Sequence, residues 1–164
     1  MSKHTTTVPA KPVEFEPEFL EALTQMFEEK IVFNQVLGLK ITSIRPEMVT
    51  ARIDMKPELM GSFVHNRIHG GVVSAGLDAM AGLACMAAIG ARHMDEAPLQ
   101  RLHRFAKLGT IDLRVDYLRP AIGDHFELRA EVMRLGSRVA STRMEFLGAD
   151  GKLLCVGAGA YIVS

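Results

Sequence analysis

The chain of 164 residues is 48% hydrophobic, which is enough apolar material for one compact core, and it is too short for two ordinary domains. Its 19 Lys and Arg balance 19 Asp and Glu, so no long-range field gathers phosphate backbones or anionic lipid. That balance argues against a nucleic-acid partner and leaves self-association free of net-charge repulsion.

Met1 to Pro12 is polar and Thr-rich and lacks the apolar stretch of a signal peptide. Residues 1–16 are therefore expected as a disordered arm ahead of a single domain at 17–164. Glu16 to Phe33 places Phe19, Leu23, Met26, Phe27 and Ile31 at helical spacing, with Pro17 near the start where its missing N–H does no harm. One amphipathic helix is predicted there. After Gly38 and Pro46, the alternation of Val49, Ala51, Ile53 and Met55 with Thr50, Arg52 and Asp54 predicts one half-buried strand. Pro57 to Ile68 reads as a loop holding Gly61.

The stretch Val72 to Ala91 is long enough to span a membrane, yet it carries three glycines and a central acid, and strand-like alternation follows it. It is read as a buried helix, apolar around its whole circumference and covered on every face. Cys85 and Cys155 lie in apolar runs without CxxC spacing, the pattern of reduced core thiols in a cytoplasmic protein. Arg92 to Leu108 is polar and predicted as loop with a helical turn. Four strands follow: Ile111 to Tyr117, Phe126 to Leu135, Val139 to Leu147, and Leu153 to Val163 after the hairpin signal Asp150-Gly151. This order is α+β, a curved antiparallel sheet around one helix with an extra N-terminal helix.

Asp78 is the feature that composition does not explain, because an ionisable group in an apolar helix must be paired, neutralised or used. Two readings stand: a catalytic carboxylate, or a core residue satisfied by Ser74 one turn earlier. His69-Gly70-Gly71 opens the same helix, where first-turn N–H groups have no internal partner. With no side chain at Gly70 to block a ligand, such amides can hold an oxyanion, although two glycines also suit a tight loop before a helix. His65 and His69 are set aside as a metal pair, since they sit in a loop with no HExxH pattern. Phosphate-binding and dinucleotide fingerprints are absent, so neither a metal nor a cofactor is expected.

The run His69-Gly70-Gly71-Val72-Val73-Ser74-Ala75-Gly76-Leu77-Asp78-Ala79-Met80-Ala81-Gly82, followed by Gly109-Thr110-Ile111-Asp112-Leu113-Arg114-Val115-Asp116-Tyr117-Leu118-Arg119-Pro120, resembles the PaaI-type hotdog thioesterases. The chain resembles their YigI-like branch more closely, with support from Phe33-Asn34 and Leu37-Gly38, over about Phe19 to Val163. The resemblance implies a hotdog fold, a homodimer or dimer of dimers with active sites at the subunit interface, and hydrolysis of medium- to long-chain acyl-CoA. It assigns water activation or direct attack to Asp78, carbonyl polarisation to the Gly70 N–H, proximity to the leaving sulfur to His69, and water orientation to Thr110 from the other subunit. Gly71 and Ser74 fall beside these residues as substrate contacts.

Related enzymes often carry an amide side chain where this chain has Phe63, and Asn66 is the nearest substitute. Arg119 and Arg138 are candidates for coenzyme A phosphates, though a solvated face accounts for them nearly as well. Two other classes remain open: a non-catalytic acyl-CoA sensor, and a hydratase or dehydratase of enoyl thioesters. The expected partners are acyl-CoA and a second copy of the chain, with neither nucleic acid nor membrane.

Overall fold

The computed structural model describes residues 13–164. Residues 1–12 of the expected arm lie outside that range. Val13–Glu16 depart from the expectation, since Phe15 is buried and its ring lies 5.0 Å from that of Phe19, centroid to centroid.

The predicted N-terminal helix is broken into three pieces. Helix α1 spans Pro17–Gln25, a π-helical turn spans Met26–Lys30, and α2 spans Val32–Leu37 after an extended Ile31. The apolar spacing continues across the break, which is why the sequence reads as one helix. The buried Asn34 amide holds the pieces together by donating to the Phe27 carbonyl at 3.0 Å, which satisfies an acceptor that the irregular turn leaves free. Gly38, at φ 69°, closes α2 in the left-handed conformation that side chains disfavour.

Strands β1 (Leu39–Ile44) and β2 (Val49–Asp54) precede a small hairpin, β3 (Met60–Ser62) with β4 (Arg67–Ile68), where only a loop was expected. The 23-residue helix α3 runs from Gly70 to Arg92. A short α4 (Pro98–Arg101) follows, then strands β5 (Gly109–Tyr117), β6 (His125–Leu135), β7 (Val139–Gly148) and β8 (Leu153–Ile162). Six strands form one antiparallel sheet in the order β1-β2-β6-β7-β8-β5, so β1 and β5 are its edges.

The sheet curls around α3, burying Leu77, Met80, Leu83, Ala84 and Ala87 against Ile53, Phe126, Leu128 and Phe146. Gly76 allows the close approach, because a Cβ there would lie 2.8 Å from Leu128 Cδ2. The opposite face of the sheet is charged, with same-strand pairs such as Arg52 with Asp54 and Arg143 with Glu145. Helix α1 packs across the far end of α3, where the fully buried Arg101 pairs with Glu16 and lies 4.3 Å from the Phe19 ring centroid. Burial of α3 is not complete, contrary to expectation. Ala75, Asp78, Ala79 and Gly82 form a stripe that the sheet does not cover, and that stripe carries the only acid in the helix.

Candidate active site

Asp78 sits on the uncovered stripe of α3, half-buried, and its Oδ1 accepts two hydrogen bonds. Thr110 Oγ1 donates at 2.9 Å and the Tyr161 hydroxyl at 2.8 Å. The two donors come from neighbouring strands, and Thr110 and Tyr161 are a registered pair between β5 and β8, so the sheet delivers both to one level. Tyr161 is buried, and that burial, together with the adjacent carboxylate, pushes its phenol well above the usual range. It stays a neutral donor at any working pH.

Two sequence expectations change here. Thr110 reaches Asp78 of its own chain, not that of a second subunit, because β5 follows α3 and lies beside it. Ser74 does not satisfy Asp78; its hydroxyl donates to the Gly71 carbonyl at 3.1 Å.

A cavity of about 310 Å³ opens beside Asp78, lined by Phe27, Ile31, Phe33, Asn34, Ala75, Ala79, Gly82, Met86, Leu108, Thr110 and Tyr161. Its outer wall is the irregular segment from the π-helical turn to α2, so the break in the N-terminal helix shapes the cavity. The lining is mainly apolar, with Asp78, Asn34, Thr110 and Tyr161 as its polar members, a composition suited to holding a hydrocarbon chain against a reactive head.

The start of α3 forms a second concavity. His69 caps the helix, its Nδ1 accepting from the Gly71 N–H at 2.9 Å, while the Val72 and Val73 N–H groups donate to the His69 carbonyl. Among the described residues, the Gly70 N–H is left as the first-turn donor without a partner. Tyr117 donates to the Gly70 carbonyl at 2.6 Å. The surrounding groove, of about 440 Å³, is lined by Arg67, Ile68, Gly70, Tyr117, Arg119 and Pro120 among others. Arg119 is anchored there by a 2.9 Å hydrogen bond from Nη1 to the Leu153 carbonyl.

The groove is larger than the Asp78 cavity and separate from it. Gly70 and Asp78 are two turns apart, a rise of about 12 Å, so one carbonyl cannot touch both within a chain. The remaining candidates lie elsewhere. Phe63, 87% exposed, and Asn66, at φ 46°, occupy the turn of the β3–β4 hairpin and border neither concavity. Arg138 lies in the exposed β6–β7 turn, also outside both.

Tyr161 escaped the sequence reading. Its signal was a lone hydroxyl in the small-residue run Val156-Gly157-Ala158-Gly159-Ala160-Tyr161, since a buried tyrosine needs a partner for its O–H.

Residues 65–155 match the family model described as Thioesterase superfamily. The chain is 32% identical over 144 residues to a medium/long-chain acyl-CoA thioesterase YigI of Salmonella typhimurium, covering 88% of this chain and 93% of that one. The Escherichia coli protein of the same name is 31% identical over the same coverage. A crystal structure of a Shewanella oneidensis protein related to the thioesterase superfamily superimposes with a TM-score of 0.83 at 37% identity, covering 92% of this chain and 100% of that one. With a six-stranded sheet wrapped on α3, a carboxylate on that helix and similarity over nearly its whole length, the chain belongs to the hotdog thioesterase superfamily.

Proposed function

We propose that this protein hydrolyses medium- to long-chain acyl-CoA, with the Asp78 carboxylate as general base or nucleophile. The observation that carries the reading is a carboxylate fixed by two hydroxyls in the wall of an apolar cavity. The activity named for the Salmonella and Escherichia relatives supplies the substrate class. The acyl tail occupies the 310 Å³ cavity, which leaves the thioester carbonyl at Asp78. As general base, Asp78 takes a proton from water as the water oxygen bonds to the carbonyl carbon. The C–S bond then breaks and coenzyme A leaves as a thiolate that is protonated afterwards. As nucleophile, an Asp78 oxygen bonds to the carbonyl carbon and the C–S bond breaks to expel coenzyme A as thiolate, leaving a mixed anhydride that water cleaves to the free acid and the restored Asp78 carboxylate.

The oxyanion needs a donor, and the free Gly70 N–H of the same chain is out of reach. A homodimer solves this. The open edge of β5 suits antiparallel pairing with β5 of a second copy, centred on Leu113. That register sets Asp112 against Arg114 across the axis, an opposite-charge pair, and Gly109 against Tyr117. Because Tyr117 holds the Gly70 turn, each Asp78 then meets the helix start of its neighbour. The coenzyme A arm runs into that neighbour's groove, where Arg67 and Arg119 offer cations to its phosphates. Gly71 and Ser74 serve the helix start through their own hydrogen bonds, and His69 lies at the mouth as the cap. The buried, unpaired Cys85 and Cys155 suit a reducing compartment, so the reading is of a cytoplasmic enzyme.

The test is Asp78→Asn assayed against a panel of acyl-CoA esters. Wild type releases thiol, and the variant keeps its fold while losing kcat by roughly a hundredfold or more. Hydrolysis at the wild-type rate in the variant refutes the role of Asp78. Absence of thiol release from wild type refutes the activity.

A further inference from the structure

We infer that Tyr161 is a positioning residue for the Asp78 carboxylate, reserving Oδ2 as the reacting oxygen by joining Thr110 in filling Oδ1. This rests on the reading of Asp78 given above. A carboxylate oxygen has two lone pairs, and Oδ1 spends both, on Thr110 at 2.9 Å and Tyr161 at 2.8 Å. Oδ2 receives no hydrogen bond from the described residues, so it alone is free to take a proton from water or attack a carbonyl.

The terminal torsion of an aspartate is broad, and one donor leaves the carboxylate free to turn about it. Two donors from different strands remove that freedom. Tyr161 is the firmer of the two, being buried where Thr110 is exposed. Its ring lies over Gly159, where a Cβ would be only 2.9 Å from Cε2 and 3.2 Å from the hydroxyl, so the absence of a side chain at 159 is what admits the phenol at this place. Burial that keeps the phenol protonated also keeps it a donor, so it never competes with Asp78 for protons.

The experiment compares wild type, Asp78→Asn, Tyr161→Phe and protein carrying 3-fluorotyrosine at 161. Tyr161→Phe retains the ring and loses only the hydroxyl. Its kcat should fall about tenfold or more with KM within about twofold, since a hydrogen bond to a charged group is lost at the reacting carboxylate alone. A donor to a carboxylate favours its charged form, so the acid limb of the kcat/KM profile should also move to higher pH. Fluorination makes the phenol a stronger donor without changing its shape, and should move that limb to lower pH. A structural role for the ring moves neither limb. The proposal is overturned if Tyr161→Phe matches wild type in kcat and acid limb, or if Tyr161→Phe is unfolded and the fluorinated protein keeps the wild-type profile. Loss of activity in Asp78→Asn beside an unaffected Tyr161→Phe overturns the Tyr161 role alone, whereas an active Asp78→Asn overturns the reading beneath it.

Discussion

Gly82 offers a direct measure of where the acyl tail lies. It is one turn beyond Asp78 on the uncovered stripe of α3 and lines the 310 Å³ cavity, and a Cβ built on it meets nothing within 4 Å. The Cβ of Gly82→Leu is therefore accommodated without moving the backbone, the rest of the side chain has the cavity beside it to enter, and the exchange favours the helix by roughly 0.5–1 kcal/mol. What the substitution removes is space. A leucine side chain brings four carbons into the cavity and excludes a comparable length of acyl tail. At about 0.8 kcal/mol per buried methylene, four methylenes amount to roughly 3 kcal/mol, or about two-hundredfold in kcat/KM. The penalty falls only on tails long enough to reach Gly82. Measured across butyryl, octanoyl, lauroyl and palmitoyl coenzyme A, the variant should hold the wild-type value for the shortest ester and lose most on the longest. An equal loss at every length, or an unchanged length profile, would show that the tail occupies other space and refute the assignment.

Two further outcomes follow from the geometry. If each site joins Asp78 of one chain to Gly70 of another, then Asp78→Asn and Gly70→Ala, each inactive alone, should regain activity when unfolded together and refolded as mixed dimers. Refolded separately, they should stay inactive. The Cβ added at Gly70 lies 3.4 Å from Tyr117, an ordinary contact, so that variant folds and only its amide is shielded. Burial pushes the Cys85 thiol up to about 12 and Cys155 up to about 11, so both are protonated at pH 8. A maleimide reagent at that pH should label neither in the native protein and both in urea.

The parts of this protein written in local pattern were legible, and those set by distant contacts were not. Helix α3 and strands β6, β7 and β8 lie within a residue or two of their predicted bounds, because each has a strong period and a turn signal at its ends. Strand β1 was missed because a register shift between Ile41 and Ser43 breaks its alternation, so Leu39, Ile41 and Ile44 do not fall on one face of a regular strand. The break after Gln25 was missed because side-chain spacing survives a π-helical turn while the backbone does not. At the site, Asp78 stood out as an acid in an apolar helix. Its donors did not, since Thr110 and Tyr161 are 51 positions apart and meet only through the pairing of β5 with β8. Seeing Thr110 as a same-chain donor required knowing that β5 lies at the sheet edge beside α3, which no local spacing reports.

The edge strand β5 joins assembly to chemistry. It presents Thr110 to Asp78 near its start and Tyr117 to the Gly70 carbonyl at its end, and among the described residues no strand pairs with its outer edge between them. In the proposed dimer, a strand tied at both ends to the candidate site groups transmits any slip in pairing directly to them, and a slip of two residues moves a partner by about 7 Å. That is more than twice the length of the hydrogen bond an oxyanion requires. If the proposed β5–β5 dimer forms, register at this edge is therefore as much a requirement for turnover as the identity of Asp78. The charged pair Asp112 and Arg114 suits the task, since in the Leu113-centred register each faces its opposite and a two-residue slip sets Arg114 against Arg114, or Asp112 against Asp112, on the axis. In the proposed dimer, specificity of pairing, not strength of association, is the property this edge must supply.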